Sequence, residues 1–227
     1  MQDATPSAIR SAGPASLETR LEEAARYALL RRLTPALRHH MIGALQPLGM
    51  LAAMLERRSQ APAPDMASIT KKSNEMGVLS REATAACVGL VAWITPKTAD
   101  AVSIADGVKD CLGVLETDLA LRGFIAVNEA TEATALVARA IMRNVYAAAL
   151  LAITDAAPGP AEVIMQSRQE GDTQIVSITL KPREAEPMGI GGPSYRALDW
   201  EDVEALAKAE GVVLEHSATG AVLRIAP

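Results

Sequence analysis

Two adjacent imidazoles, His39 and His40, lie in the stretch Leu33-Thr-Pro-Ala-Leu-Arg-His-His-Met-Ile-Gly-Ala-Leu-Gln-Pro-Leu-Gly-Met-Leu-Ala-Ala-Met-Leu55. Leu37, Met41, Leu45, Leu48, Ala52 and Leu55 recur there at spacings of four, four, three, four and three, the pattern of one buried stripe on one helix. At about 100° per residue, His39 points roughly 160° away from the mean direction of that stripe, and His40 falls on its flank. The spacing therefore predicts a packed helix that carries His39 out into water. An imidazole held there is an accessible nucleophile, and imidazole is largely neutral near pH 7. An exposed histidine is also ordinary helix surface, so its surroundings decide. Between Glu23 and Glu56 the chain has no acidic residue but carries Arg26, Arg31, Arg32 and Arg38. Such arginines either steer an acidic partner or solvate a helix face. Gly43, Ala44 and Pro47 leave a low-profile surface below His39, where a partner helix docks or the helix packs within its own fold.

The other nucleophiles are Cys87 and Cys111, which have neither metal-ligand spacing nor a disulfide framework. They read as two small buried residues in a reducing compartment. The chain of 227 residues is 49% hydrophobic and 22% charged with a net charge of −5, enough for one substantial core or two modest ones and too apolar for disorder. Aromatics make up 3%, so the core must be built from Ala, Leu, Val, Ile and Met, which suits close helix packing. The acidic balance, without a basic surface bearing aromatics, argues against nucleic acid. No stretch approaches the length of a membrane span and the first residues are not a signal peptide, so a soluble, cytoplasmic protein is expected.

Residues 1–15, rich in Ala, Ser, Pro and Gly, are expected to be loose. Ser16 caps a helix that runs toward Leu33; Thr34-Pro35 then reads as a new N-cap, so the helix is either kinked or restarted there, and Pro47 bends it again. Ser59 to Pro64 is a turn and Asp65 caps a second helix, with the apolar stripe Ile69, Ser73, Met76, Leu79, Ala83, Cys87, Leu90 and Ile94, ending before Pro96. Two such helices with a short link form an antiparallel hairpin, which cannot cover both of its apolar faces alone. A four-helix bundle made by two chains, a homodimer, is expected.

Beyond residue 97 the pattern changes. Ile104, Val108, Leu112, Leu115 and Leu119 mark a helix, residues 123–128 a short strand, and Thr134 to about Thr154 a long apolar helix. Residues 162–168 and 174–180 alternate as paired strands, Lys181 to Ser194 is a loop, Asp199 caps a helix reaching about Glu210, and a final hairpin turns around Thr219-Gly220. This order predicts one helical layer on a mixed sheet. The fold class is α+β: a flexible segment over 1–15, a helical hairpin over 16–97 and an α/β sandwich over 98–227.

A hairpin with an outward histidine followed by this element order resembles the sensor histidine kinase core, in which a dimerisation and histidine-phosphotransfer domain precedes an ATP-binding domain of the Bergerat (GHKL) type. The family's first helix places core residues two, six, nine, thirteen and sixteen positions after the phosphorylated histidine. From His39 these are Met41, Leu45, Leu48, Ala52 and Leu55, whereas from His40 they include Gln46 and Gly49. Gln46 also matches the Leu-Gln of one kinase subfamily. The resemblance thus implies His39 as phosphoacceptor, with His40 as an assisting group. Where the family has an acidic residue or arginine after the histidine, this chain has His40. The segment Arg143-Asn-Val-Tyr-Ala-Ala-Ala-Leu-Leu resembles the N-box helix, but the magnesium-holding asparagine falls at Ala148, which has no oxygen for a hard cation. The Asp-x-Gly-x-Gly motif is replaced by Lys-Pro-Arg-Glu-Ala-Glu-Pro, and Gly189-Ile-Gly-Gly192 is either a relic of the later glycine box or a flexible loop.

A surviving histidine on a degenerate ATP domain is similar to the histidine phosphotransferases of the ChpT type. The resemblance implies a two-component phosphorelay protein that exchanges a phosphoryl group between His39 and the aspartate of response-regulator receiver domains without using ATP. It implies no cofactor in this chain, magnesium on the partner receiver, and a partner surface at Arg38, Gly43, Ala44 and Pro47. Two rival readings remain open: a divergent active ATP-dependent histidine kinase, and a non-catalytic dimeric adaptor for response regulators.

Overall fold

The computed structural model describes residues 16–94, 100–184 and 195–226. The expected loose N-terminus, the boundary at residues 97 and 98, Pro96 and the Gly189–Gly192 cluster lie outside the described residues.

Helix α1 (Leu17–Ser59) starts where the Ser16 side chain accepts a hydrogen bond from the Thr19 backbone N–H at 3.1 Å. It does not restart at Thr34-Pro35. One helix runs through Pro35 and Pro47, and Thr34 is no cap, because its hydroxyl donates to the Leu30 carbonyl at 2.8 Å inside the helix. An interior proline costs about 3 kcal/mol, and here packing on both sides of the Pro35 region offsets that cost. The chain turns, the Asp65 carboxylate accepts from the Ser68 N–H at 3.1 Å, and α2 (Met66–Ile94) returns along α1. On α2, Ala83 and Leu90 are buried, and Ile69, Met76, Leu79 and Cys87 are half-buried; Ser73 is exposed, contrary to the expected stripe, and the Ile94 side chain lies outside the described set. On α1, Leu51 is buried and Leu37, Ala44, Leu48 and Leu55 half-buried, but Met41, Leu45 and Ala52 are exposed. The expected single buried stripe is therefore split, because one partner helix covers only one side of α1.

The second unit begins with β1 (Ala101–Ser103) and α3 (Ile104–Leu121), capped by Ser103, whose hydroxyl accepts from the Asp106 N–H. After β2 (Ile125–Asn128) the structure corrects the expected Thr134–Thr154 helix: Leu136–Ala138 is strand β3, paired antiparallel with β1. Extended chain is favoured there because the Ala135 and Ala133 carbonyls accept from the Ile104 and Ala105 N–H groups, donors that the start of α3 leaves without helical partners. The helix starts later, as a π-helical stretch over Ile141–Tyr146 that continues into α4 (Ala147–Asp155). The strands β4 (Ala161–Glu170), β5 (Thr173–Pro182), β6 (Val213–His216) and β7 (Gly220–Ile225) follow, with α5 (Trp200–Ala209) between β5 and β6. The sheet order is β2-β4-β5-β7-β6, with β2 parallel to β4 and the other pairs antiparallel. Gly171 turns the β4–β5 hairpin with φ +61° and Gly211 ends α5 with φ +69°, values that a side chain would make costly. Strand β5 extends to Pro182, so the expected loop from Lys181 starts two residues late. The fold is α+β, a two-helix hairpin followed by a mixed sheet under one helical layer. No helix among the described residues is long and apolar enough to cross a membrane.

The two units share a core. Ala25, Ala28, Leu29 and Leu33 of α1 and Trp93 of α2 are buried in one cluster with α3, α4 and α5. That cover explains why Ala147–Thr154 is apolar all round: α4 lies between the sheet and other helices, with no solvent face. At the edge of the contact Arg32, only 3% exposed, donates to both Asp155 oxygens at 3.0 and 2.9 Å and to Asp118 at 3.2 Å. Arg122 joins the same carboxylates at 3.3 and 2.9 Å and donates to the Thr154 carbonyl at 2.7 Å. Burial opposes the charge on Arg32, but the hydrogen bonds and charges of Asp155 and Asp118 outweigh it and raise its pKa.

Breaking such a pair strands a buried cation. Asp155→Ala should lower the unfolding free energy by about 3 kcal/mol, read from urea denaturation; a loss under about 1 kcal/mol would mean that the network is not a buried pair. Burial also pushes the Cys111 thiol pKa well up, with the nearby Asp110 charge acting the same way. The neutral thiol is no nucleophile at pH 7, so a thiol-reactive dye should titrate at most one cysteine in the folded protein and both in denaturant. Two rapid equivalents in the native state would contradict that burial.

Candidate functional site

The face of α1 that meets the second unit is a sequence pattern in its own right. Ala25, Leu29, Arg32 and Ala36 are spaced four, three and four apart, and the rhythm resumes at Gly43, Pro47, Met50 and Met54. His39 and His40 occupy the step between the two halves and straddle the line by about 50° on either side. Both are exposed. His39 was expected to stand in open water on the far side from its packing face, with His40 on the flank. The structure instead puts both on the margin of a second packing face, one turn beyond its end.

There they border a cleft of about 220 Å³. One wall is α1, with Arg38, His39 and His40; the other is α3, with Gly113, Thr117, Asp118 and Leu121. Asp118 is the carboxylate of this lining, and its charge is met by Arg32 and Arg122. Sequence inspection missed the α3 wall, although the ridge Gly113, Thr117 and Leu121, at spacings of four, is legible as the exposed side of an amphipathic helix.

The expected basic patch is largely dismantled. Arg32 is in the buried network, Arg26 is bonded to Glu22 at 2.9 Å and Glu210 at 2.8 Å, and Arg31 sits over the Tyr195 ring at 5.2 Å. Arg38 is exposed without an ion-pair partner among the described residues, and Arg31, also exposed, lies against the Tyr195 ring instead of a carboxylate. These arginines hold the fold together, which residue type and spacing do not reveal.

Gly43 and Pro47 are exposed and Ala44 half-buried. Gly43 and Pro47 border a separate groove of about 290 Å³ between α1 and α2, floored by Leu51 and Leu79 and edged by the Lys72–Glu75 ion pair. A Cβ built on Gly43 meets nothing within 4 Å, so this surface is open.

On the other side of the shared core, the face of the N-box-like helix is filled. Ala148 is fully buried and its side chain offers no oxygen. Asn144 donates to Glu210 Oε1 at 2.9 Å, the same oxygen that accepts from Arg26. Arg143 donates to the Ala92 carbonyl at 2.8 Å and lies 5.3 Å from the Trp93 ring centre, while its Nε has no partner among the described residues. Burial is the main cause that lowers the Arg143 pKa, followed by the nearby Arg139 charge. Between these residues and Leu29 and Leu33 of α1 there remains a space of only about 30 Å³, which suits one water and not a nucleotide. Among the described residues, the side chains at this face of the helix do not fit magnesium–ATP.

No family model matches the chain, and no curated protein matches it. Among solved structures it is similar to the histidine kinase AdeS of Acinetobacter baumannii, at 14% identity and TM-score 0.45 over 79% of this chain and 96% of that one. It is similar to a bacterial phosphotransferase at 12% identity and TM-score 0.39, over 93% and 98% of the two chains. It is also similar to the histidine kinase ThkA, solved in complex with the response regulator protein TrrA, at 14% identity and TM-score 0.43 over 92% of this chain and 66% of that one. These solved structures are histidine kinase domains and a phosphotransferase.

Proposed function

We propose that this chain is a histidine phosphotransferase of two-component signalling, in which His39 carries a phosphoryl group exchanged with the aspartate of response-regulator receiver domains. The observation that carries the reading is a pairing of opposites on α1. Its exposed step bears an accessible imidazole at a cleft, while its buried half leaves only about 30 Å³ beside Asn144 and Arg143 of the N-box-like helix. In this reading the nucleophile is kept and ATP is not used.

The chemistry asks little of the chain. An imidazole nitrogen of His39 forms the bond to phosphorus as the bond between phosphorus and the receiver carboxylate breaks, and the carboxylate leaves with that electron pair. The attacking ring nitrogen of a neutral imidazole carries no proton, the other ring nitrogen keeps its own, and the carboxylate leaving group needs none, so neither an adjacent general base nor a general acid is required and His40 can replace the family's acidic neighbour. Magnesium belongs to the partner receiver in this reading, which takes no cofactor from this chain. Catalysis is then mostly positioning. Arg38 supplies positive charge beside the histidine, and the groove at Gly43 and Pro47, with Ala44 next to it in the helix, offers the partner a second contact. In this reading residues 16–97 are the phosphotransfer unit and 98–227 a degenerate ATP-binding unit.

The exposed Met41, Leu45 and Ala52 lie on the side of α1 away from that groove. We assign them to a homodimer seam, which would complete a four-helix bundle. Light scattering should give twice the 23.9 kDa chain mass, and Leu45→Asp should give the single mass, since a carboxylate does not tolerate unpaired burial in such a seam. A wild-type monomer at micromolar concentration would remove the dimer from the account.

The phosphotransfer test is incubation with phosphorylated receiver domains of the source organism, followed by a search for acid-labile phosphate on this chain. His39→Gln should abolish the label with the melting temperature nearly unchanged, because an exposed side chain contributes little to stability; His40→Gln should keep at least part of it. Label on His40 would move the acceptor by one residue, and label on neither across the full panel would leave the adaptor reading.

A further inference from the structure

The cleft at the histidines has two walls, and only one of them belongs to the hairpin. The other is the exposed ridge of α3, and several contacts hold it in place. Arg32, two helical turns before His39, is bonded to Asp118 on α3 and to Asp155 at the end of α4. Arg26 reaches Glu210 at the end of α5, and Arg31 covers Tyr195. Buried Leu29 and Leu33 fill the space between. A unit tied to α1 through α3, α4 and α5 at once has no hinge in this contact.

We propose that α3 is a fixed half of the receiver-binding surface, with Thr117 and Leu121 as specificity-determining contacts and the Arg32–Asp118 pair setting the distance between the walls. The inference rests on the phosphotransfer reading. About 220 Å³ admits a few side chains and not a domain, so a receiver that brings an aspartyl phosphate to His39 inserts part of its surface between α1 and α3 and touches both. The charge of the lining suits an acidic partner. The carboxylate of Asp118 is neutralised by two guanidiniums, and Arg38 is left with no ion-pair partner among the described residues. Leu121, 46% exposed, provides an apolar lip on the α3 side. A helix ridge that any receiver must pass can then select among receivers by shape.

The experiment compares Thr117→Trp with Glu116→Trp, which adds the same bulk one residue away at an exposed position outside the cleft. Two phosphoryl sources are used for each variant: the phosphorylated receiver that labels the wild-type chain, and phosphoramidate, a small donor that needs no docking surface. Thr117→Trp should slow transfer from the receiver at least tenfold while phosphoramidate labelling stays within twofold, and Glu116→Trp should stay within twofold for both. Unimpaired receiver transfer in Thr117→Trp overturns the inference. A parallel loss with phosphoramidate also overturns it, since the added ring would then obstruct the histidine and not the partner. A wild-type chain that no receiver labels refutes the phosphotransfer reading itself, and the role of α3 falls with it.

Discussion

A buried guanidinium is the constraint on which this structure turns. Arg32 is withdrawn from water on a helix that would otherwise be a free-standing hairpin arm, and its charge is tolerable only where two carboxylates meet it. Those carboxylates come from the second unit, so the ion pair forms only when α3 and α4 stand at one position against α1. Burying an ion pair adds little net stability compared with apolar packing, but misplacing it is expensive. The network therefore serves geometry. Its four members, two arginines and two aspartates, carry no net charge.

One face of α1 does three things in sequence along its length. Its first turns, with Ala25, Leu29 and Arg32, close over the helical layer of the second unit. The next step presents His39 and His40 at the rim of a cleft. The last turns, with Gly43, Pro47 and Met50, border an open groove against α2. Leu29 and Leu33, which pack α1 onto the second unit, also line the space of about 30 Å³ that remains beside Asn144 and Arg143.

Much of the architecture was legible from residue pattern because it depends on local rules. Ser16, Asp65 and Asp199 cap helices in the structure as side chains of their type do, and the β4–β5 hairpin and the C-terminal hairpin follow from alternation, with turns at Gly171 and around Thr219-Gly220. What depends on tertiary contacts was not legible. Leu136–Ala138 looks like the start of an apolar helix, yet its backbone pairs with β1. Thr34-Pro35 looks like a helix start, yet packing carries α1 through it. The arginines read as a steering patch, yet three of four are spent on the fold, because a side chain's partner 80 or more residues away leaves no trace in local spacing. The histidines could be picked out by type, but the α3 wall opposite them could not. Both imidazoles reach the cleft, so helix geometry by itself does not separate His39 from His40, and the choice of His39 rests on the apolar register that follows it.

The measurement that bears most directly on this account offers the wild-type chain its two conceivable phosphoryl sources side by side: radiolabelled ATP with magnesium alone, and a phosphorylated receiver domain without nucleotide. The account predicts acid-labile label from the receiver and none from ATP. Label acquired from ATP would contradict it and favour the reading as an active ATP-dependent histidine kinase.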